Sequence, residues 1–204
     1  MKKRPRQAPD LECENTEPRL RIVGGRHRGR RLAWSGDLRT RPMKDRVREA
    51  VFNLLGPRIV GKHAIDLFAG TGALGLEALS RGAATALFFE RHFPTADLIR
   101  QNIASLQAEE ACRVVPGDAF VWAPRELPGG DAPWTVFCSP PYDFYISRRD
   151  DMLQLIGKLH ERSPAGSLFV VEADERFDFG QLPADGAWDV RSYPPAVVGI
   201  LEKQ

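Results

Sequence analysis

Two short stretches hold residue types at a spacing that suits chemistry. The first is Ser139-Pro140-Pro141-Tyr142, directly after the apolar run Thr135-Val136-Phe137-Cys138. A run of that kind reads as a buried strand, so the four residues fall at the carboxyl edge of a sheet, where open α/β folds bind ligands. Two prolines fix the backbone and leave nearby carbonyls outside the ladder. A fixed carbonyl and the Ser139 hydroxyl can accept hydrogen bonds from a planar amino group. Tyr142 offers a flat face on which a base can stack, worth about 1–3 kcal/mol per base in single-strand binders. The amine lone pair of a nucleobase is delocalised into its ring. Acceptors that orient the amine and stabilise its growing positive charge therefore assist its attack. Methyl transfer from a sulfonium then needs mainly in-line positioning, without a metal or a covalent nucleophile. The competing reading is a proline-rich turn with a core tyrosine.

The second stretch is Asp66-Leu67-Phe68-Ala69-Gly70-Thr71-Gly72-Ala73-Leu74-Gly75. Gly70, Gly72 and Gly75 match G-x-G-x-x-G, a pattern that brings backbone close to a ligand at a helix N-terminus. Dehydrogenases carry it too. Asp66 shifts the balance, because an acid before the glycines repels a pyrophosphate and welcomes a cofactor bearing an ammonium group. The competing reading of Asp66 is a carboxylate that caps a helix or braces the loop. Glu90 lies at the tip of the next strand, where a doubly wound fold places the carboxylate that accepts from ribose hydroxyls. Asp118, after the third strand, is either an acceptor for an adenine amino group or a plain turn residue.

These residues need a frame, and the chain supplies one from residue 63 onward. Strands are expected at 64–68, 86–89, 113–115, 135–138 and 168–171, and helices at 73–80, from Pro94 to about 106, and at 149–161. Alternating strands and helices predict a mainly parallel sheet covered on both faces. Residues 188–201 alternate loosely around Pro194-Pro195 and read as a closing hairpin. Upstream, Leu20-Arg21-Ile22-Val23 and Leu32-Ala33-Trp34 flank the cationic connection Arg26-His27-Arg28-Gly29-Arg30-Arg31, which suggests a small β-hairpin. A helix is expected to start at Thr40-Arg41-Pro42, to carry Val47, Val51, Leu54 and Leu55 on one face, and to stop at Gly56-Pro57. Lys44, Arg46 and Arg48 lie off that stripe, facing either solvent or phosphate.

Charge divides the chain. Residues 1–48 hold 15 Lys and Arg against 6 Asp and Glu, whereas the remainder holds 14 against 21. A basic arm on a mildly acidic body points to a polyanion partner. The planar arginine fork suits phosphate, and such contacts give affinity without base choice. Residues 1–18 read as a disordered tail, residues 19–58 as a basic RNA-binding extension, and residues 59–204 as the body. No apolar stretch approaches the roughly 20 residues that span a bilayer. Cys13, Cys112 and Cys138 show no C-x-x-C spacing and the four histidines are scattered, so no disulfide framework or metal site is expected and a reducing cytoplasm fits.

The stretches at 66–83 and 139–142 resemble class I methyltransferases that act on exocyclic amines. R-I-V-G-G-R-H-R-G-R-R-L at 21–32 and T-R-P-M-K-D-R-V-R-E-A-V-F-N-L-L at 40–55 narrow the resemblance to bacterial RsmD-type enzymes, which make N2-methylguanine in 16S ribosomal RNA. It runs from about residue 19 to the C-terminus. It implies a seven-stranded, mostly parallel Rossmann-like α/β fold with a small basic N-terminal hairpin and helix. It implies S-adenosylmethionine as cofactor and S-adenosylhomocysteine as product. Asp66 and Phe68, Ala69, Gly70, Thr71 and Gly72 would hold the methionine part, Glu90 the ribose and Asp118 the adenine. Ser139, Pro140, Pro141 and Tyr142 would hold the guanine amine. Arg41 and Pro42 would lie near the pocket, and Arg26, Arg28, Arg30 and Arg31 would meet RNA. The implied partner is ribosomal RNA or a small-subunit particle, met by a single copy of the chain. Ser139 stands where the family usually has Asp or Asn, and Met43 where it usually has Thr.

Other functions remain open on the residues alone. An adenine-N6 or glutamine methyltransferase uses the same X-P-P-Y loop. A nicotinamide dehydrogenase explains the glycines but not Ser139 to Tyr142. A non-catalytic RNA-binding assembly factor would follow if Ser139 disarms the pocket.

Overall fold

The five apolar runs that precede the candidate site residues become neighbouring strands. The computed structural model describes residues 20–36, 43–183 and 186–204. The expected disordered tail at 1–18 and the expected helix start at Thr40-Arg41-Pro42 lie outside them. Strands β1 (His63–Asp66), β2 (Thr85–Glu90), β3 (Cys112–Pro116), β4 (Trp134–Cys138) and β5 (Leu168–Ala173) pair in parallel in the order β3-β2-β1-β4-β5. The hairpin of β6 (Asp189–Tyr193) and β7 (Ala196–Glu202) closes the sheet antiparallel, with β7 beside β5. The result is a seven-stranded Rossmann-like α/β sheet, as expected, and residues 188–201 do form the closing hairpin. The first strand ends at Asp66 rather than residue 68, because Leu67 and Phe68 turn into the glycine loop.

Alternation along each strand sends side chains to two cores. Ala64, Phe88, Phe137 and Val170 face one, with α1 (Asp45–Leu55), α2 (Ala73–Ser80) and α3 (Phe93–Ser105). Ile65, Phe89, Val136 and Val171 face the other. That side is covered by the short α4 (Ala119–Trp122) and α5 (Phe144–Ser147), which periodicity does not reveal, and by α6 (Arg149–Arg162). In α6 Met152, Leu155, Ile156 and Leu159 are buried, as the spacing predicts. All eight residues of α2 are buried, so it packs tightly. Gly75 is part of the reason, since a Cβ there would stand 2.3 Å from the Phe88 ring.

The basic extension shares the first core rather than lying apart from it. Leu20, Ile22 and Leu32 are buried with Val51, Phe52 and Leu76. Residues 20–32 form a hairpin in which the Ile22 amide donates to the Arg30 carbonyl and the Leu32 amide to the Leu20 carbonyl, both at 2.9 Å. Gly25 adopts φ +73°, and a Cβ there would meet the Ser80 carbonyl at 2.0 Å.

Among the described residues the helix of the extension begins at Asp45 and its α-helical part stops at Leu55, before a 3-10 turn through Gly56-Pro57. The expectation that Arg48 faces solvent or phosphate is wrong. Arg48 is fully buried, because it stands three residues before Val51 and seven before Leu55 on the inward face. It bonds the Met43 and Arg21 carbonyls, pairs with Asp45 at 2.8 Å and lies 3.9 Å from Glu77. A buried cation needs this set of partners.

Candidate active site

The carboxyl ends of all five parallel strands open into one cavity of about 560 Å³. That size is typical of a small-molecule site. Residues 68–71 after β1 form one wall, residues 90–92 after β2 a second, and residues 117–119 after β3 a third. Residues 139–142 after β4, with Glu172 on β5, close the opposite side. Met43 and Lys44, just before α1, and Val47 on it approach from one side, and residues 193–196 from the β6–β7 turn. The structure thus brings Phe68, Ala69, Gly70, Thr71, Glu90 and Asp118 to the same space as Ser139, Pro140, Pro141 and Tyr142.

Asp66 and Gly72 are not in the wall. Asp66 is buried beneath the loop, where its Oδ2 accepts from the Gly75 amide at 3.1 Å. It braces the first turn of α2, the competing role for this carboxylate. Its Oδ1 is buried without a hydrogen-bond partner among the described residues. Burial pushes the Asp66 carboxyl up to about 7, with the Gly75 amide opposing and the Glu90 charge adding to the rise. No cation among the described residues offsets that cost.

Glu90 shapes the next wall. Its Oε2 accepts from the Gly70 amide and its Oε1 from the His92 amide, each at 2.8 Å. Each carboxylate oxygen keeps a further lone pair for a ligand hydroxyl. Asp118 caps α4 by accepting from the Phe120 amide at 3.0 Å, and Arg148 stands 3.7 Å from its other oxygen. The expected adenine acceptor is therefore also a helix cap. Beside it Phe68 and Phe144, both lining the cavity, meet edge to face at 6.0 Å. Their apolar surface suits a flat aromatic ligand. Phe144 carries no signal in the sequence beyond following Tyr142 by two residues.

The candidate site residue that sequence reasoning misses is Glu172. It is 6% exposed and lies at the end of β5. Parallel pairing sets Cys138 beside Val171, so the next residues, Ser139 and Glu172, stand level. Ser139 donates to Glu172 Oε2, and Tyr142 donates to Glu172 Oε1 at 2.8 Å. The available signal is an acid breaking the apolar run Leu168-Phe169-Val170-Val171 at the carboxyl edge. Behind this group Cys138 is a closed option, since burial pushes its thiol up to about 12 and no thiolate nucleophile forms near neutral pH.

The arginine turn is not brought to the cavity. The Arg26 amide donates to the Ser80 carbonyl at 2.8 Å, and the Arg30 guanidinium donates to the Ser105 carbonyl. Those are the far ends of α2 and α3, and α2 alone is ~12 Å long at 1.5 Å per residue. Arg26, Arg28, Arg30 and Arg31 are all exposed there. Arg41 lies outside the described residues. One side chain couples the extension to the glycine loop. Asn102 on α3 accepts from the Ala33 amide at 2.7 Å and donates to the Ala33 and Thr71 carbonyls, each at 3.1 Å.

Residues 20–184 match the family described as Conserved hypothetical protein 95. Ribosomal RNA small subunit methyltransferase D of Escherichia coli K12 is 43% identical over 123 residues, 60% of each chain. The Haemophilus influenzae protein of the same name is 34% identical over 142 residues, 68% of this chain and 72% of that one. The chain belongs to this RsmD-type family. The solved structure of the Escherichia coli protein yhhF superposes with a TM-score of 0.77 at 32% identity, covering 91% of this chain and 98% of that one. The alignment with the Escherichia coli K12 methyltransferase spans less than two thirds of that relative's length. Residues 20–58 of the extension, the glycine loop and the Ser139–Tyr142 loop all fall within residues 20–184, the part that matches the family.

Proposed function

We propose that this protein transfers a methyl group from S-adenosylmethionine to the exocyclic N2 amine of a guanine in small-subunit, 16S ribosomal RNA. One observation carries the reading: Ser139, Tyr142 and Glu172 place a cluster of oxygen acceptors and an aromatic ring across one cavity from the glycine loop and Glu90. The relatives named as ribosomal RNA small subunit methyltransferases supply the substrate class.

The buried, unpartnered Oδ1 of Asp66 supports the fit of a cofactor carrying an ammonium group, because a positive charge nearby would relieve its unfavourable ionisation. Residues 68–71 would hold the methionine part from their backbone, Glu90 the ribose hydroxyls, and Phe68, Phe144 and Asp118 the adenine. When bound, S-adenosylmethionine supplies an electrophilic methyl on a sulfonium. The protein's own work is then to stack the guanine on Tyr142, hold its amine through Ser139 and the Pro140 region, and exclude water. Such positioning of reactants is a large share of the barrier in bimolecular transfers. Arg26, Arg28, Arg30, Arg31 and Arg41 would bind phosphates along residues 19–58, with residues 59–204 as the catalytic domain. The reading takes the protein as a monomer acting on a ribosomal particle in the cytoplasm.

The test is a transfer assay with labelled cofactor and small-subunit particles lacking guanine-N2 methylation, followed by nucleoside digestion. Labelled N2-methylguanosine is the expected result. Labelled N6-methyladenosine would overturn the base assignment. Absence of label despite measured cofactor binding would overturn the enzymatic reading in favour of an RNA-binding factor.

A further inference from the structure

Ser139 poses a problem for a site that must hold an amine. A hydroxyl carries one donor and two acceptor lone pairs. If its proton pointed at the target nitrogen, it would compete for the lone pair that must attack. An aspartate has no such ambiguity when ionised, because it only accepts. The structure resolves the problem with a second residue. The Ser139 proton is committed to Glu172 Oε2, and the Tyr142 proton to Glu172 Oε1.

We propose that Glu172 is a positioning residue for the target amine, which takes the Ser139 and Tyr142 protons and so makes Ser139 an obligate acceptor and fixes the Tyr142 ring. This rests on the amine-methylating reading above. The negative charge that an aspartate at 139 would carry is set one hydrogen bond further back, on the adjacent strand. An O–H donor to a carboxylate forms a charge-assisted bond, and the polarised hydroxyl oxygen becomes a better acceptor for the next donor in line. The strand register makes this possible, since β4 and β5 run parallel with Cys138 beside Val171 and leave Ser139 and Glu172 level at the cavity. One carboxylate with two oxygens satisfies both hydroxyls, and each oxygen retains a lone pair. Tyr142, held at its hydroxyl, presents its ring in one orientation rather than several.

Three variants test this in the full-length protein: Glu172→Gln, Ser139→Asp, and the two combined. Glutamine keeps the volume, but its carbonyl serves one hydroxyl and its NH2 group faces the other. Glu172→Gln is expected to lower kcat about a hundredfold, the scale seen when one preorganised polar group is removed from a reacting centre. KM for the particles and the cofactor Kd should stay within about threefold, because phosphate contacts supply much of the RNA affinity and the glycine loop and Glu90 stand across the cavity from Glu172. Ser139→Asp alone sets two carboxylates together and is expected to be slow. The combined variant moves the charge to position 139 and should regain at least about tenfold over Glu172→Gln, since like-charge crowding is removed. Wild-type kcat in Glu172→Gln would overturn the proposal. So would a drop in kcat without rescue in the double variant, or a drop matched by weakened cofactor binding and a lowered melting point, both marks of a structural role. If the wild-type protein itself transfers no methyl, the proposed function fails separately. The holding role is then read from the Tyr142 Cζ resonance in tyrosine-labelled protein. A shift between wild type and Glu172→Gln sustains it, and an unmoved resonance overturns it.

Discussion

The Val23 amide donates to Glu77 Oε2 at 2.7 Å, joining the basic extension to the middle of α2 across 54 residues of sequence. Glu77 is completely buried and also accepts from Arg81 Nε at 2.7 Å, with Arg48 3.9 Å away. The extension is thus fixed by a buried charge cluster as well as by Leu20, Ile22 and Leu32. Removing one member of such a cluster leaves another charge buried and poorly compensated. Arg48→Met should therefore destabilise the fold by about 3–5 kcal/mol, read as a lower urea midpoint with an unchanged slope. An unchanged midpoint would show that Arg81 alone suffices for Glu77.

Asp66 predicts a pH dependence. Its folded-state value is about 7 against an ordinary 3.8, because burial disfavours the charge. Between those values the folded protein holds a proton that the unfolded chain releases. Stability without cofactor should fall as pH rises from about 4 to about 7 and flatten above, by a total on the order of 4 kcal/mol. Asp66→Asn should consequently raise the melting temperature more at pH 8 than at pH 5. Equal shifts at both values would mean that Asp66 is ionised throughout.

If the proposed cofactor sets its ammonium group near Asp66, the same carboxyl should govern cofactor affinity. A bound ammonium group draws Asp66 into its charged form, so binding near neutral pH releases a proton. The Kd of S-adenosylmethionine should rise between pH 8 and pH 6, by up to about tenfold per pH unit below the folded-state value. Calorimetry in buffers of different ionisation heat reads the released proton directly. A pH-independent Kd, with no proton released, would remove Asp66 from cofactor binding.

Tyr142→Ala is expected to abolish transfer while leaving the cofactor Kd within about twofold. The missing ring removes a stacking face worth about 1–3 kcal/mol, and Glu172 loses one of its two donors. Normal turnover in this variant would end the stacking role of Tyr142.

Arg28→Ala combined with Arg30→Ala should weaken RNA binding and make it less salt-dependent. Each phosphate that the protein no longer neutralises reduces the slope of log affinity against log salt by about 0.7–0.9. Filter binding over a salt series measures it. An unchanged slope would mean that RNA does not reach the far end of α2.

Much of this molecule is legible because parallel strands buried on both faces read as near-continuous apolar runs, and 86–89, 136–138 and 168–171 are such runs. The glycine loop and Ser139–Tyr142 stand out because they interrupt that pattern with unusual residues. Glu172 and Glu77 do not, since each is a single acid inside an apolar segment and its partners come from distant elements. Arg48 misleads because its charge argues for solvent while its position argues for the core. At i−3 from Val51 and i−7 from Leu55 it lies on the inward face, and the carbonyls of Arg21 and Met43 with the carboxylates of Asp45 and Glu77 make that tolerable. The loop-bracing part of Asp66 becomes visible with the Gly75 amide, nine residues on.

The Asn102 side chain, clamped on Ala33 and Thr71, bears on how this architecture can be recombined. The receptor for the arginine hairpin is spread over Glu77, Ser80 and Asn102, on two helices that also shape the glycine loop. Swapping only the first 36 residues with those of a distant relative would leave these three side chains facing the wrong backbone. Chimaeras should work when arm and both helices are exchanged as one block, and natural variation at the three positions should travel together with that of the hairpin.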